Sequence, residues 1–337
     1  MLHMWPEAKK TYSELINDYS NAKELVWLSR AADLEGAIRI NTDFQYLFGP
    51  ETLKQYRIVE GMRVWLAPQV RMTFNAFEEI HRKGRRDGTP PIKKFIPGYK
   101  FKWEGFLNGV ATFAADWQVD YHDFDTTNEL GCEVRIDKPN FRCVTGYKYN
   151  HLIRDPIEGL NKEGRLNRFY AAGEKVLFER LIFGDDLWLE SYSVRPEENT
   201  ITGEGYLGYK IINEVYANVI VLKKPYVTFN SRCRYGKWNK SFPRANEVLD
   251  FVGDEKVYMF GFYGEDKIGS LARVYGGFTR TYDSKRKFYS SYTNFAIDMW
   301  FLKNMTATLA YEYAMNVDGV YGAGDVTLFT AKVEVTF

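Results

Sequence analysis

Alternation of apolar and polar residues at every second position is the feature that most limits how this chain can fold. It is clearest in residues 327–337, where one face carries Phe329, Ala331, Val333, Val335 and Phe337, and the other carries Thr330, Lys332, Glu334 and Thr336. A period of two is the spacing of a β-strand with one apolar face and one polar face. The pattern recurs in segments 38–46, 110–122, 227–235 and 289–302.

Many of the alternating segments are long for a soluble protein. Several run for about 10 to 15 residues, whereas the usual strand has about 5–6 residues. A tilted strand that crosses a bilayer needs about 9–11 residues. The segment ends predict sixteen strands, with 14 or 18 as alternatives, at 36–47, 55–66, 69–80, 99–106, 109–122, 130–137, 140–150, 186–195, 200–212, 216–222, 225–236, 255–263, 268–282, 287–302, 305–315 and 326–337.

The predicted connections differ between the two ends of the strands. Every second connection is short, namely 67–68, 107–108, 138–139, 196–199, 223–224, 264–267 and 303–304. The intervening connections include the long segments 81–98, 151–185, 237–254 and 316–325. Short turns at one end and longer loops at the other are typical of outer-membrane β-barrels.

Composition excludes several other classes of protein. The 337 residues contain 45 Lys and Arg against 44 Asp and Glu, so the net charge of +1 lacks the basic excess of nucleic-acid-binding proteins. Aromatic residues make up 17%, which is incompatible with a disordered chain. No apolar run approaches the roughly 18 residues of a transmembrane helix, and residues 1–10 lack the apolar core of a signal peptide. We therefore expect either a cytoplasmic chain or a mature form whose signal has been removed.

The two faces of the strands suit a closed barrel in lipid. An open sheet edge is excluded from hydrocarbon because each unpaired backbone group costs several kcal/mol there. Charges in mid-strand, such as Arg63, Asp116 and Asp298, suit a water-filled lumen, although they also suit the solvent face of a sandwich. Strand length, loop asymmetry and the aromatic C-terminus together favour the membrane barrel.

From residue 35 to Phe337 the chain resembles a Gram-negative outer-membrane β-barrel of the porin type. The alternating strand that ends on Phe337 resembles the signal by which the barrel assembly machinery recognises its clients. The resemblance implies an outer-membrane location, contact with outer-membrane lipids and lipopolysaccharide, and a homotrimer as a candidate assembly. We expect no nucleic-acid partner, because the net charge is only +1, and no cofactor, because no cofactor-binding motif occurs.

Residues 1–34 differ from the rest of the chain. Apolar residues between Trp5 and Ala31 follow a roughly helical spacing, and Pro6 stands near the start. We predict a periplasmic helical segment, which is a plug, a cap or the end of a longer module, followed by a barrel domain over 35–337. The longest predicted loop, 151–185, is either a constriction folded into the lumen or an external lid.

Charged residues on the polar face are the predicted pore lining. They are Arg39, Arg57, Arg63, Arg71, Asp116, Asp120, Arg135, Arg142, Arg232, Arg234, Arg273 and Asp298. Arginines outnumber the acids that can be placed on this face, and rings of Arg or Lys favour anions. We therefore expect a weak anion preference, unless the charges pair across the wall and set no selectivity.

Three functions fit these features, and an enzyme does not. The first is passive diffusion of small polar solutes or ions, the second is secretion of an extracellular polysaccharide, and the third is a structural tether between the outer membrane and the cell wall. No catalytic motif or metal-ligand spacing occurs, so we predict no catalytic residues and no metal. Cys132 and Cys143 could form a disulfide bridge or could be two separate lipid-facing thiols, and we favour the separate thiols.

Overall fold

The computed structural model describes residue 11 and residues 36–50, 52–84, 90–107, 110–122, 125–154, 157–249, 251–269, 271–302, 304–317 and 324–337. The predicted helical segment 1–34 lies, apart from Thr11, outside the described residues. It therefore stays a prediction, together with the domain boundary at 34–35.

Sixteen strands make up almost all of the described chain. They are β1 (Arg39–Phe48), β2 (Lys54–Ala67), β3 (Val70–Lys83), β4 (Ile92–Leu107), β5 (Ala111–His122), β6 (Asp125–Lys138), β7 (Phe141–Leu152), β8 (Arg165–Leu177), β9 (Leu181–Ser193), β10 (Tyr206–Lys223), β11 (Tyr226–Lys240), β12 (Glu255–Ile268), β13 (Ala272–Asp283), β14 (Phe288–Leu302), β15 (Met305–Val317) and β16 (Gly324–Thr336). Two short helices, α1 (Ile157–Asn161) and α2 (Ala245–Val248), and a 3₁₀ turn, Pro196–Glu198, lie in the loops. None of the helices in the described ranges is long and apolar enough to cross a membrane.

The strands form one closed antiparallel barrel. Each strand pairs with its neighbours in the chain, and β1 pairs with β16 from Arg39↔Thr336 to Phe48↔Thr327. The N–H of Phe337 donates a 2.8 Å hydrogen bond to the carbonyl of Ile38, which extends this seam. Closure pairs the edges that hydrocarbon would not tolerate. The predicted fold class and the count of sixteen strands are confirmed.

Two strand assignments behind that count are wrong. Residues 165–177, which the sequence left inside a long loop, form β8, and the predicted strands 200–212 and 216–222 belong to the single strand β10. The two errors cancel in the count. The connection 196–199, predicted as a short turn, is part of the longer segment 194–205 at the opposite end of the barrel.

The turn after β8 explains why the strand was missed. Arg180 N–H bonds to the Leu177 carbonyl at 3.3 Å, and Phe178 and Glu179 both have positive φ, 51° and 57°. Such a turn is normally marked by Gly, Asn or Asp, since other residues rarely adopt positive φ. A Phe-Glu turn therefore carries no recognisable signal.

The two ends of the barrel have different connections. At the end where β16 finishes, here called the turn end, the described links include 68–69, 139–140, 178–180 and 224–225. At the opposite loop end the links include 153–164, 194–205 and 241–254. The predicted asymmetry of short turns and longer loops is confirmed.

Large apolar side chains are exposed on the outer face along the strands. Examples are Ile40 and Phe44 on β1, Phe260 on β12, Phe295 on β14 and Leu309 on β15. The three cysteines are free, and the β6–β7 register pairs Cys132 with Tyr147 and Cys143 with Ile136, so the alternative of a Cys132–Cys143 bridge is wrong. An exposed apolar belt on a closed sheet is the surface that a bilayer covers.

The buried apolar core lies under the loops and not between two sheets. Side chains from the three longer loops and from adjoining strand ends form the mouth core, which comprises Ile153, Leu166, Tyr192, Val194, Leu207, Trp238, Ala245, Val248, Leu249 and Val252. The Lys162 ammonium also donates to the carbonyl of Val248. These contacts join the β7–β8 loop to the β11–β12 loop at the loop end.

Candidate functional site

The inner face of the barrel is polar, as contacts that pass over an intervening strand show. Tyr170 on β8 donates a 2.6 Å hydrogen bond to Glu133 on β6, over Gly146 of β7. Tyr216 on β10 reaches Glu174 on β8 at 3.1 Å in the same way. Each ring lies flat where the intervening strand has a glycine, because a Cβ there would collide with it.

All of the predicted pore-lining residues lie on this inner face. The register pairs Arg39 with Arg63, Arg142 with Glu174, and Arg273 with Asp298, and strand periodicity then places the remaining members. The alternation closes consistently through all sixteen strands, since Arg39 faces Thr336 across the β1–β16 seam. The two-residue period had therefore separated the faces correctly, even where strand directions were misassigned.

Most of the predicted arginines are paired with carboxylates on the wall. Arg39 pairs with Glu334 at 3.2 Å, and Arg71 pairs with Glu104 at 2.8 Å. Arg273 contacts Asp298 at 2.6 Å. Further pairs join Arg57 to Glu79, Arg135 to Glu133, Arg142 to Asp137, and both Arg232 and Arg234 to Glu214. These pairs neutralise much of the positive charge that the sequence indicated.

Several of these guanidinium groups also stack on aromatic rings. Arg71 lies 5.3 Å from the ring centroid of Trp65, Arg232 lies 5.3 Å from that of Tyr216, and Arg273 lies 5.0 Å from that of Tyr275. A planar guanidinium can stack on a ring while bonding to a carboxylate. The inner wall thus holds arginines in set positions instead of presenting them as mobile charges.

The loop end carries a buried charge cluster that the sequence did not reveal. Arg154 contacts Glu79 at 3.2 Å, Asp120 at 2.5 Å and Glu129 at 3.0 Å. This mouth charge cluster joins the β7–β8 loop to β3, β5 and β6. Burial opposes the charge of Arg154, but the neighbouring carboxylates outweigh it and raise the pKa of the guanidinium. The arginine therefore remains charged and holds the loop.

Two histidines extend the mouth charge cluster. His81 Nε2 lies 3.2 Å from Glu79, and His151 Nδ1 lies 2.8 Å from Glu129. The sequence placed His81 at the start of the long connection 81–98, but it lies within β3 and is buried. Beyond the lipid belt both faces of a strand are polar, so the alternation fades. The predicted strands 69–80 and 130–137 are for this reason shorter than β3 and β6.

The β7–β8 loop enters the mouth of the barrel. Leu160 in α1 packs with Leu152 and with Ile96, an inward residue of β4. The predicted constriction over 151–185 is thus wrong in extent, since residues 165–177 and 181–193 are wall strands. Within the described part of that stretch, residues 153–154 and 157–164 fold inward, and they narrow the opening on the side of β3 and β4.

No protein-family model and no curated protein sequence matches the chain. A bacterial polysaccharide outer membrane secretin is similar in structure, with a TM-score of 0.66 and 8% identity over 90% of this chain and 99% of that one. An anion-selective porin from Comamonas acidovorans has a TM-score of 0.44 at 9% identity, covering 89% and 98%. OccK11 from Pseudomonas aeruginosa has a TM-score of 0.47 at 6% identity, covering 89% and 95%.

Identities this low establish the fold and not the cargo. The closed barrel of sixteen strands, its exposed apolar belt and its charged inner wall agree with that fold. The chain has the fold of an outer-membrane β-barrel.

Proposed function

We propose that the protein is an outer-membrane channel through which hydrophilic molecules pass without chemical change. The observation that carries this proposal is the polar inner wall of a barrel that closes through all sixteen strands. Barrels of 16–18 strands can leave an aqueous channel. The narrowed loop end would limit the size of what passes, and the wall charges would influence its sign.

The expected ion selectivity is a weak preference for anions. Wall arginines engaged with carboxylates, such as Arg273 with Asp298, contribute little net field. A basic side chain without such a partner contributes more, and Lys148 on β7 makes no ion pair or side-chain hydrogen bond within the described residues. A lysine of this kind supports weak selectivity and argues against strong selectivity.

Reconstitution in a planar bilayer tests both parts of the proposal. We expect stepwise conductance and, in a KCl gradient, a reversal potential displaced toward the chloride equilibrium potential. Absence of conductance would contradict the channel. A displacement toward the potassium equilibrium potential would contradict only the anion preference.

Secretion of a polysaccharide is the second candidate. The likeness to the polysaccharide secretin supports it, since the match spans 99% of that chain. A lumen that mixes arginines, carboxylates and tyrosines offers a hydrated glycan many hydrogen-bond partners. An osmotic swelling assay with sugars and oligosaccharides of increasing length separates the two functions. A cutoff near small sugars favours solute diffusion, and entry of long oligosaccharides favours secretion.

The remaining partners are proposals that follow from the resemblance to porins. They comprise contact with lipid and lipopolysaccharide, insertion by the barrel assembly machinery, and a homotrimer. Crosslinking in intact membranes, followed by sizing in mild detergent, tests the trimer. A monomer at every crosslinker concentration would contradict it.

A further inference from the structure

A recess lies midway along the inner face of β4–β9. Its volume is about 380 Å³, and its charged lining comprises Lys100, Lys102, Asp116, Glu133, Lys148 and Arg168. The aromatic residues Tyr170 and Trp188 close one side. We call this feature the wall recess.

Small residues on neighbouring strands create the wall recess. The inward positions 114, 131 and 146, on β5, β6 and β7, are Ala, Gly and Gly. Asp116 leans over Gly131, where a Cβ would lie 2.7 Å from its carboxylate, and Tyr170 lies over Gly146. With only a methyl group or a hydrogen atom at these positions, the wall is thinner here.

The acids of the wall recess already have partners. Glu133 accepts hydrogen bonds from Arg135 at 2.8 Å and from Tyr170 at 2.6 Å. Asp116 lies 3.5 Å from the Lys100 ammonium. Two of the cations are engaged as well, because Lys102 pairs with Glu104 at 3.0 Å and Arg168 pairs with Glu190 at 2.6 Å.

Lys148 is the charge left over. It faces Gly131 on one side and Arg168 on the other in the strand register, and it is half-buried. Among the described residues it has no carboxylate partner. A half-buried ammonium beside another cation favours an anionic ligand, because such a ligand would supply the missing counter-charge.

We propose that the wall recess binds the carboxylate of an acidic sugar, with Lys148 as its ion-pair partner. The inference rests on the proposed channel function and adds a ligand class to it. The volume lies within the range of small-molecule sites. Hydroxyl groups of the sugar would meet donors and acceptors of the lining, and Tyr170 and Trp188 would offer ring surface. The carboxylate has two sources, a free sugar acid or one unit of an acidic glycan.

Current block in single channels formed by the whole chain tests the site. The probes are glucuronate, an oligogalacturonate and neutral glucose, and the variants are Lys148→Gln, Lys148→Arg and Lys332→Gln. Lys332 is a matched control, because it is an inner-wall lysine on β16, far from β7 in the strand order. Loss of the Lys148 charge should weaken glucuronate block about tenfold, the factor that one charge-assisted hydrogen bond supplies.

The proposal expects glucuronate block that exceeds glucose block, survives in Lys148→Arg and persists in Lys332→Gln. Oligogalacturonate that blocks more tightly than glucuronate indicates a glycan chain as the source, and equal or weaker block indicates a free sugar acid. Three results would overturn the site: glucose that blocks as strongly as glucuronate, glucuronate block that is unchanged in Lys148→Gln, or glucuronate block that weakens equally in Lys332→Gln. A chain that conducts but shows no glucuronate block refutes the site alone, whereas one that never conducts refutes the channel.

Discussion

The two ends of the barrel are built by different means. At the turn end, links such as 139–140 and 224–225 merely reverse the chain between paired strands. At the loop end, three longer loops bury the mouth core and the charge of Arg154. Backbone hydrogen bonds suffice to hold the wall, whereas the mouth needs the side-chain packing that soluble domains use.

The arginines at the two ends illustrate the same difference. Arg142, near the turn end, pairs with Asp137 at 2.8 Å, and its side chain is 54% exposed. Arg154, at the loop end, is 16% exposed and faces several carboxylates. An exposed pair contributes at most about 1 kcal/mol, but removing one partner of a buried pair costs about 3–5 kcal/mol.

Replacement of Arg154 by Met should therefore have the largest effect. Glu79, Asp120 and Glu129 would lose their shared counter-charge, and the free energy of unfolding should fall by about 3–5 kcal/mol. Urea unfolding in detergent measures the loss, and protease sensitivity of segment 153–164 locates it. Arg142→Met is the control, with an expected change below about 1 kcal/mol. Equal losses in the two variants would remove the distinction between the ends.

The mouth core provides the next test. Leu207 is fully buried in it, and Leu207→Ala should lower the free energy of unfolding by about 2–5 kcal/mol. The matched control is Leu66→Ala near the turn end, where the leucine is 61% exposed and leaves no buried cavity. We expect faster proteolysis of segment 241–254 in the first variant only. If Leu66→Ala were as damaging, the mouth would not be a separate packed unit.

A smaller effect is expected from pH at the β11–β12 loop. Asp254 accepts a 2.8 Å hydrogen bond from the Trp238 N–H and contacts Lys237 at 3.1 Å. The hydrogen bond from the backbone N–H of Trp238 is the main cause that holds the pKa of Asp254 below its usual value. A depressed carboxyl pKa stabilises the fold above the unfolded pKa of about 3.9, and this contribution disappears as pH falls through the folded pKa.

Amide exchange of the Trp238 N–H measures this dependence. In the unaltered protein, exchange corrected for its intrinsic pH dependence should accelerate below about pH 4, whereas in Asp254→Asn the acceleration should be absent. If exchange in Asp254→Asn accelerated below the same pH, the acceleration would have to come from another carboxyl group. Because Asp254 is partly exposed, the effect should be modest and should stay confined to the loop end.

The accuracy of the sequence prediction varied along the barrel. In 109–122 and 326–337 the alternation is strong, and the predicted strands match β5 and β16 closely. In β8 it is weak, because outward Ala171 and Gly173 are small and inward Tyr170 is large. The wall recess was invisible for the same reason, since Arg168 and Tyr170 belong to the missed strand.

What the sequence alone determined was the identity of the two faces, and with it the closed barrel. A two-residue period assigns each side chain to lipid or lumen without reference to any neighbour, and hydrocarbon then permits only closure. What only the tertiary structure decided was which inner charges meet. Arg154 reaches Glu79, Asp120 and Glu129 on separate strands, and Lys148 lacks a carboxylate among the described residues. Such contacts depend on strand register and on loop packing between residues far apart in the chain. No local sequence pattern contains this information.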